Sequence, residues 1–117
     1  MEIYKVFTFD AAHTLPEVPD SHRCRNLHGH TFTVSVHLEG EVNQLTGWVR
    51  DYGEIKDACA PVISLLDHSY LNDIPGLENP TSENIAVWLW NRIRPALPEL
   101  SMIELRETPG TGCRYRG

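Results

Sequence analysis

No apolar run in this chain approaches the ~18 residues of a membrane-spanning helix, so no membrane partner is expected. Behind Met1 there is neither a basic stretch nor an apolar one, and no secretory signal is expected. Cysteine is scarce. The three cysteines are odd in number and lack C-x-x-C spacing, which argues against a disulfide framework and for a reducing cytoplasm. Basic residues are outnumbered, and a net charge of −6 leaves little for a nucleic-acid partner. A small anionic substrate is not excluded. Arg23 and Arg25 flank Cys24 and Arg114 and Arg116 lie near the C-terminus, each as readily solvated as bound to phosphate. Repeats, low-complexity tracts and linkers are also missing, so residues 1–117 read as one domain. Such a domain can fold on its own core but cannot bury a deep pocket alone.

What is present concentrates in F-D-A-A-H-T-L-P-E-V-P-D-S-H-R-C-R-N-L-H-G-H, where His13, Cys24, His28 and His30 fall within eighteen residues. His28 and His30 lead into T-F-T-V-S-V-H-L-E, whose alternation is that of a half-buried strand. Residues i and i+2 of a strand share a face, about 7 Å apart. The positions in phase with the two histidines are Phe32, Val34, Val36 and Leu38, so both rings extend the apolar face. His13 closes a second apolar segment, E-I-Y-K-V-F-T-F-D-A-A. One H-x-H is ordinarily a pair of satisfied strand residues. Three inward imidazoles, however, carry polar nitrogens that need a partner, and a metal ion supplies one. Three histidines leave one position of a tetrahedral zinc open, which is the catalytic pattern.

The remaining pattern predicts β-β-α-α-β-β, an α+β fold with a four-stranded antiparallel sheet and two helices packed on one face. Strand one spans about Glu2 to His13 and strand two about Leu27 to Gly40. V-N-Q-L-T-G-W-V reads as a turn or hairpin extension. The first helix starts near Asp51, with Glu54 at capping-box spacing, and Pro61 should kink or break it. Asp67-His68 follows its end. A second helix opens at Pro80 with Thr81 or Ser82 as cap and repeats Ile85, Leu89 and Ile93 at helical spacing. S-M-I-E-L-R-E-T is the third strand, Pro109-Gly110 a tight turn, and C-R-Y-R the last strand. The opposite face of strand two, Thr31, Thr33, Ser35, His37 and Glu39, is polar. A wet face and open sheet edges both favour pairing between subunits, so a homo-oligomer is expected.

F-D-A-A-H, C-R-N-L-H-G-H, D-Y-G-E-I-K, L-D-H-S-Y-L-N, N-P-T-S-E-N and R-E-T together resemble the 6-pyruvoyl-tetrahydropterin synthase family over nearly the whole chain. Within it the chain is most similar to the bacterial members that make 6-carboxytetrahydropterin for queuosine. The resemblance implies the tunnelling fold (T-fold), a hexamer of two stacked trimers, and active sites at subunit interfaces. It also implies that His13, His28 and His30 hold one zinc per subunit. Cys24, Asp67 and His68 would form the catalytic group, and Glu107 would anchor the pterin.

The implied substrate, 7,8-dihydroneopterin triphosphate, carries vicinal hydroxyls that an open zinc site can polarise. Cys24 fits a general base, and His68 a proton shuttle oriented by Asp67. Glu107 can accept from the pterin amino and ring N–H groups. The implied products are 6-carboxy-5,6,7,8-tetrahydropterin, acetaldehyde and triphosphate. A pyruvoyl product with the side chain retained, or a non-catalytic zinc- or pterin-binding module, are the alternatives. Apart from the resemblance, Cys24 reads equally as an inert loop thiol, Asp67-His68 as a helix C-terminal pair, and Glu107 as a salt-bridge partner. Cys59 and Cys113 are expected to be structural, and His22 and His37 to be solvated.

Overall fold

A computed structural model describes residues 1–117 throughout. Strands β1 (Glu2–His13) and β2 (His28–Glu39) form one long antiparallel pair, in register from Glu2 opposite Glu39 to His13 opposite His28. Helix α1 (Tyr52–Leu66), strand β3 (Ser69–Tyr70), helix α2 (Ser82–Ile93), and strands β4 (Leu100–Thr108) and β5 (Thr111–Tyr115) follow. The sheet order is β3-β1-β2-β4-β5, antiparallel except for β3, which runs parallel to β1 beside Ala11 and Ala12. The expected α+β class holds, but the sheet has five strands rather than four. Two residues are too few to show alternation, and β3 becomes a strand only because α1 delivers it to the edge of β1.

Alternation along β1 and β2 sends Phe9, Ala11, Phe32, Val34, Val36 and Leu38 to one face, where they are buried. Ile103 and Leu105 of β4 extend that face. Against it lie Ile55, Cys59, Ile63 and Leu66 of α1 and Ile85, Leu89 and Ile93 of α2, each set at the three- and four-residue spacing of a helix stripe. On the other face Tyr4 is 59% exposed and Val6 48%.

The helix starts follow the predicted residues with two differences. Asp51 caps α1, its side chain accepting from the Gly53 N–H at 2.9 Å. Glu54 does not complete a capping box. It takes Arg50 at 2.9 Å, and Arg50 also reaches Glu99 at 2.6 Å, tying the start of α1 to the start of β4. Pro61 does not break α1, which runs through it. Proline removes the N–H that would reach the Asp57 carbonyl. Both residues lie on the exposed face, where water can satisfy that oxygen.

Phe32 is fully buried, stacks on Phe9 at a centroid distance of 4.9 Å, and stands edge-on to His13 and His30 at 5.8 and 5.6 Å. Phe32→Ala should cost about 3–5 kcal/mol in denaturant unfolding. A loss below about 1 kcal/mol would mean that the ring does not carry the packing under the histidines.

Candidate metal centre and active site

Where the core face of the β1–β2 pair reaches its end, aliphatic residues give way to imidazoles. His13 and His28 are directly opposed, with ring centroids 4.5 Å apart, and His30 lies 5.1 Å from His28 and 5.3 Å from His13. The carboxylate of Glu107, near the end of β4, completes the group. One ligand atom from each of His13, His28, His30 and Glu107 lies within 4.8 Å of all the others.

Two of the rings have their tautomers set from outside. His13 Nδ1 is 2.9 Å from the Pro80 carbonyl, and His28 Nδ1 is 2.7 Å from the Asn26 carbonyl. A carbonyl can only accept, so each Nδ1 carries the proton and each Nε2 presents a lone pair. This is the outer support typical of metal-binding histidine. Burial disfavours the His13 cation and lowers its pKa, with the neighbouring His28 and His30 acting in the same direction. Neutral imidazole is the form that binds metal.

His13 Nε2 is buried with no hydrogen-bond partner. Glu107 Oε1 is 3.3 Å away, and the same oxygen sits 2.8 Å from His30 Nε2. A lone pair facing a carboxylate oxygen is repulsive unless a cation joins them. The orphaned nitrogen and the all-N/O donor set both fit a divalent ion such as zinc.

Glu107 is held from its other oxygen by the Ser82 hydroxyl at 3.2 Å. The Thr81 side chain caps α2 by accepting from the Asn84 N–H, which leaves Ser82 free for that contact. With His13, Leu15, Thr81, Thr111 and Cys113, these two line a pocket of about 230 Å³. Burial raises the thiol pKa of Cys113, with Glu83 and Glu107 adding to it, and raises that of Cys59 to about 11. Neither behaves as a ready nucleophile.

The other sequence-predicted residues are not in this group. Cys24 is half-buried in a short 3-10 turn, Arg23–Arg25, between the ends of β1 and β2. Asp67 and His68 form a second cluster with Asp10, which belongs to the opposite face of the sheet. His68 Nδ1 is 2.9 Å from Asp67 Oδ2. Asp67 Oδ1 accepts from the Asp10 backbone N–H at 3.0 Å, and this bond, with His68, holds the Asp67 carboxyl below its usual range. His68 has φ of +56°, a conformation a non-glycine residue keeps only when its surroundings enforce it. Here its N–H donates to the Asp10 carbonyl at 2.6 Å. Gly29, between His28 and His30 of β2, faces this cluster, and a Cβ there would stand 3.3 Å from the Ala11 carbonyl oxygen.

Sequence reasoning missed Asp10, Ser82, and the Pro80 and Asn26 carbonyls. All four lie in the motifs F-D-A-A-H, N-P-T-S-E-N and C-R-N-L-H-G-H, but Ser82 and Pro80 read there only as helix-start residues. His37 is not solvated as expected, because it stacks on Tyr4 at 5.2 Å and meets Glu2 at 3.0 Å.

The protein resembles known ones along its length. A family model described as 6-pyruvoyl tetrahydropterin synthase matches residues 2–117. The chain is 41% identical, over a 119-residue alignment, to the 6-carboxy-5,6,7,8-tetrahydropterin synthase of Synechocystis sp., covering 97% of this chain and 91% of the relative. It is 43% identical over 96 residues to the dihydroneopterin monophosphate aldolase of Pyrococcus furiosus, covering 82% and 76%. The solved 6-pyruvoyl tetrahydropterin synthase of Caenorhabditis elegans superposes with a TM-score of 0.93 at 28% identity, over 100% of this chain and 95% of that one.

His28→Ala removes a ring whose Nδ1 is already committed to the Asn26 carbonyl. Metal analysis should find the variant depleted of zinc, with the fold intact by circular dichroism. Full zinc retention would remove His28 from the ligand set.

Proposed function

The chain belongs to the 6-pyruvoyl tetrahydropterin synthase family, and from that footing we propose a zinc-dependent lyase of queuosine biosynthesis. It converts 7,8-dihydroneopterin triphosphate and one water to 6-carboxy-5,6,7,8-tetrahydropterin, acetaldehyde and triphosphate. The observation that carries this reading is the orphaned Nε2 of His13 among three histidines, in a chain that matches a carboxytetrahydropterin synthase nearly end to end.

His13, His28 and His30 are the residues that would hold zinc. When bound, it supplies a Lewis acid for the side-chain hydroxyls of the substrate. Glu107, held by Ser82 and facing the adjoining pocket, accepts from the pterin amino and ring N–H groups. Cys24 takes a proton from the substrate side chain as general base. His68, hydrogen-bonded to Asp67, carries a proton to or from the reacting carbon.

Asp67-His68 and the histidine group lie on opposite faces of the sheet within one chain. Their joint action therefore calls for a second subunit, brought in at the short edge strands β3 and β5. This supports a closed ring, a hexamer of two trimers, acting in the cytoplasm.

The second reading keeps the side-chain carbons and ends at the pyruvoyl product, as the name of the superposable nematode enzyme has it. The name of the Pyrococcus relative brings in a third, aldol cleavage of a dihydroneopterin phosphate. Incubation with dihydroneopterin triphosphate separates the first two. Stoichiometric acetaldehyde with a carboxypterin marks the first reading, and its absence with a pyruvoyl product the second. Cys24→Ala should keep zinc and bind pterin while losing about 10²–10⁴-fold in kcat. Near-normal turnover would remove Cys24 from the chemistry.

Glu107→Gln exchanges one acceptor oxygen for a donor and turns one pterin contact repulsive. A charge-assisted bond is worth about 1.5–3 kcal/mol, so pterin affinity should fall by about one to two orders of magnitude with zinc unchanged. Normal pterin affinity with lost zinc would make Glu107 a fourth ligand instead.

A further inference from the structure

The segment from Thr14 to Leu27 carries Cys24 yet buries none of its residues. Its shape must therefore come from polar contacts rather than packing, and these converge on the cysteine. The Cys24 backbone N–H donates to His22 Nδ1 at 3.1 Å, so the imidazole serves as cap of the turn that bears the thiol. The Cys24 carbonyl accepts from the Leu15 N–H at 2.8 Å. Both main-chain groups of the residue are thus held, neither by regular secondary structure.

One guanidinium closes the rest of the loop. Arg25 donates from one nitrogen to the Pro16 carbonyl at 2.6 Å and the Val18 carbonyl at 3.0 Å, while its Nε lies 3.2 Å from Asp20. Arg25 thus turns its Nη1 and Nε back into its own loop.

The anchors of this loop are also those of the metal centre. Leu15 is two residues beyond His13. Asn26, the residue after the turn, accepts from His28 Nδ1. The thiol is thus connected to one histidine ligand on each side through a chain of short contacts.

We infer that His22 and Arg25 are positioning residues that hold the Cys24 thiol in register with the histidine group. Neither touches the reacting atoms; each acts through Cys24. The inference rests on the reading of Cys24 as the proton-transfer residue, and the test is chosen to separate the two.

His22→Ala removes the acceptor for the Cys24 N–H, whereas His22→Asn replaces it with a side-chain oxygen suited to the same capping position. Arg25→Lys keeps the charge but cannot bridge two carbonyls and a carboxylate at once. Each variant is assayed with dihydroneopterin triphosphate for kcat and KM, beside zinc content, melting temperature and the Cys24→Ala protein.

Displacing a reacting group by about 1 Å can cost on the order of a hundredfold. His22→Ala and Arg25→Lys should each lose about ten- to a hundredfold in kcat with KM, zinc and melting temperature unchanged, and His22→Asn should recover most of the rate. Three outcomes overturn the inference: full kcat in His22→Ala while Cys24→Ala is inactive, equal losses in His22→Ala and His22→Asn, or loss of zinc with the rate. An active Cys24→Ala protein would remove the catalytic reading itself.

Discussion

A buried imidazole nitrogen with no protein donor to meet it constrains one whole end of this molecule. His13 Nε2 is enclosed by the core, its partner nitrogen is committed to Pro80, and its nearest polar neighbour is a carboxylate oxygen. An arrangement of that kind is costly without a cation, since desolvated lone pairs face one another. The end of α2's approach loop supplies the carbonyl, β4 supplies the acid, and the β1–β2 register sets His28 directly opposite. Four separate stretches of chain thus converge on one imidazole ring.

The sheet separates two clusters of ionisable side chains. On the core face lie the histidines, Glu107 and the pocket beside Ser82. On the other lie Asp10, Asp67 and the left-handed His68. Gly29 separates His28 from His30 in the chain, presents no side chain to the second face, and keeps the approach to Ala11 open. The hydrogen-bonded backbone of the sheet stands between the two clusters.

Much of this was legible in the residue order. Period-two alternation from Phe32 to Leu38 placed His28 and His30 on the core face, and the strand bounds of β1 followed from the apolar run that ends at His13. Asp51 and Thr81 announced the helix starts by their capping chemistry. Three readings failed for reasons of geometry. β3 is too short to leave a pattern. Pro61 stays inside α1 because the carbonyl it orphans faces water. Glu54 prefers Arg50, whose guanidinium is itself placed by Glu99 from the far end of the chain. His22 is exposed as expected, but nothing in its neighbours in sequence says that its ring also turns back to cap the Cys24 turn.

The sequence by itself determined which side chains share a face, because strand and helix periods are properties of the local backbone. On that basis the three-histidine set and the α+β class could be written down from the residues. Tertiary structure alone decided which nitrogen of the His13 ring is available, that Glu107 meets the histidines rather than an arginine, and that Asp67-His68 stands across the sheet from them. Those outcomes depend on contacts between residues fifty or more apart, such as His13 with Pro80 and Asp10 with Asp67. No local periodicity encodes such pairs; they arise only once the core has set the distances.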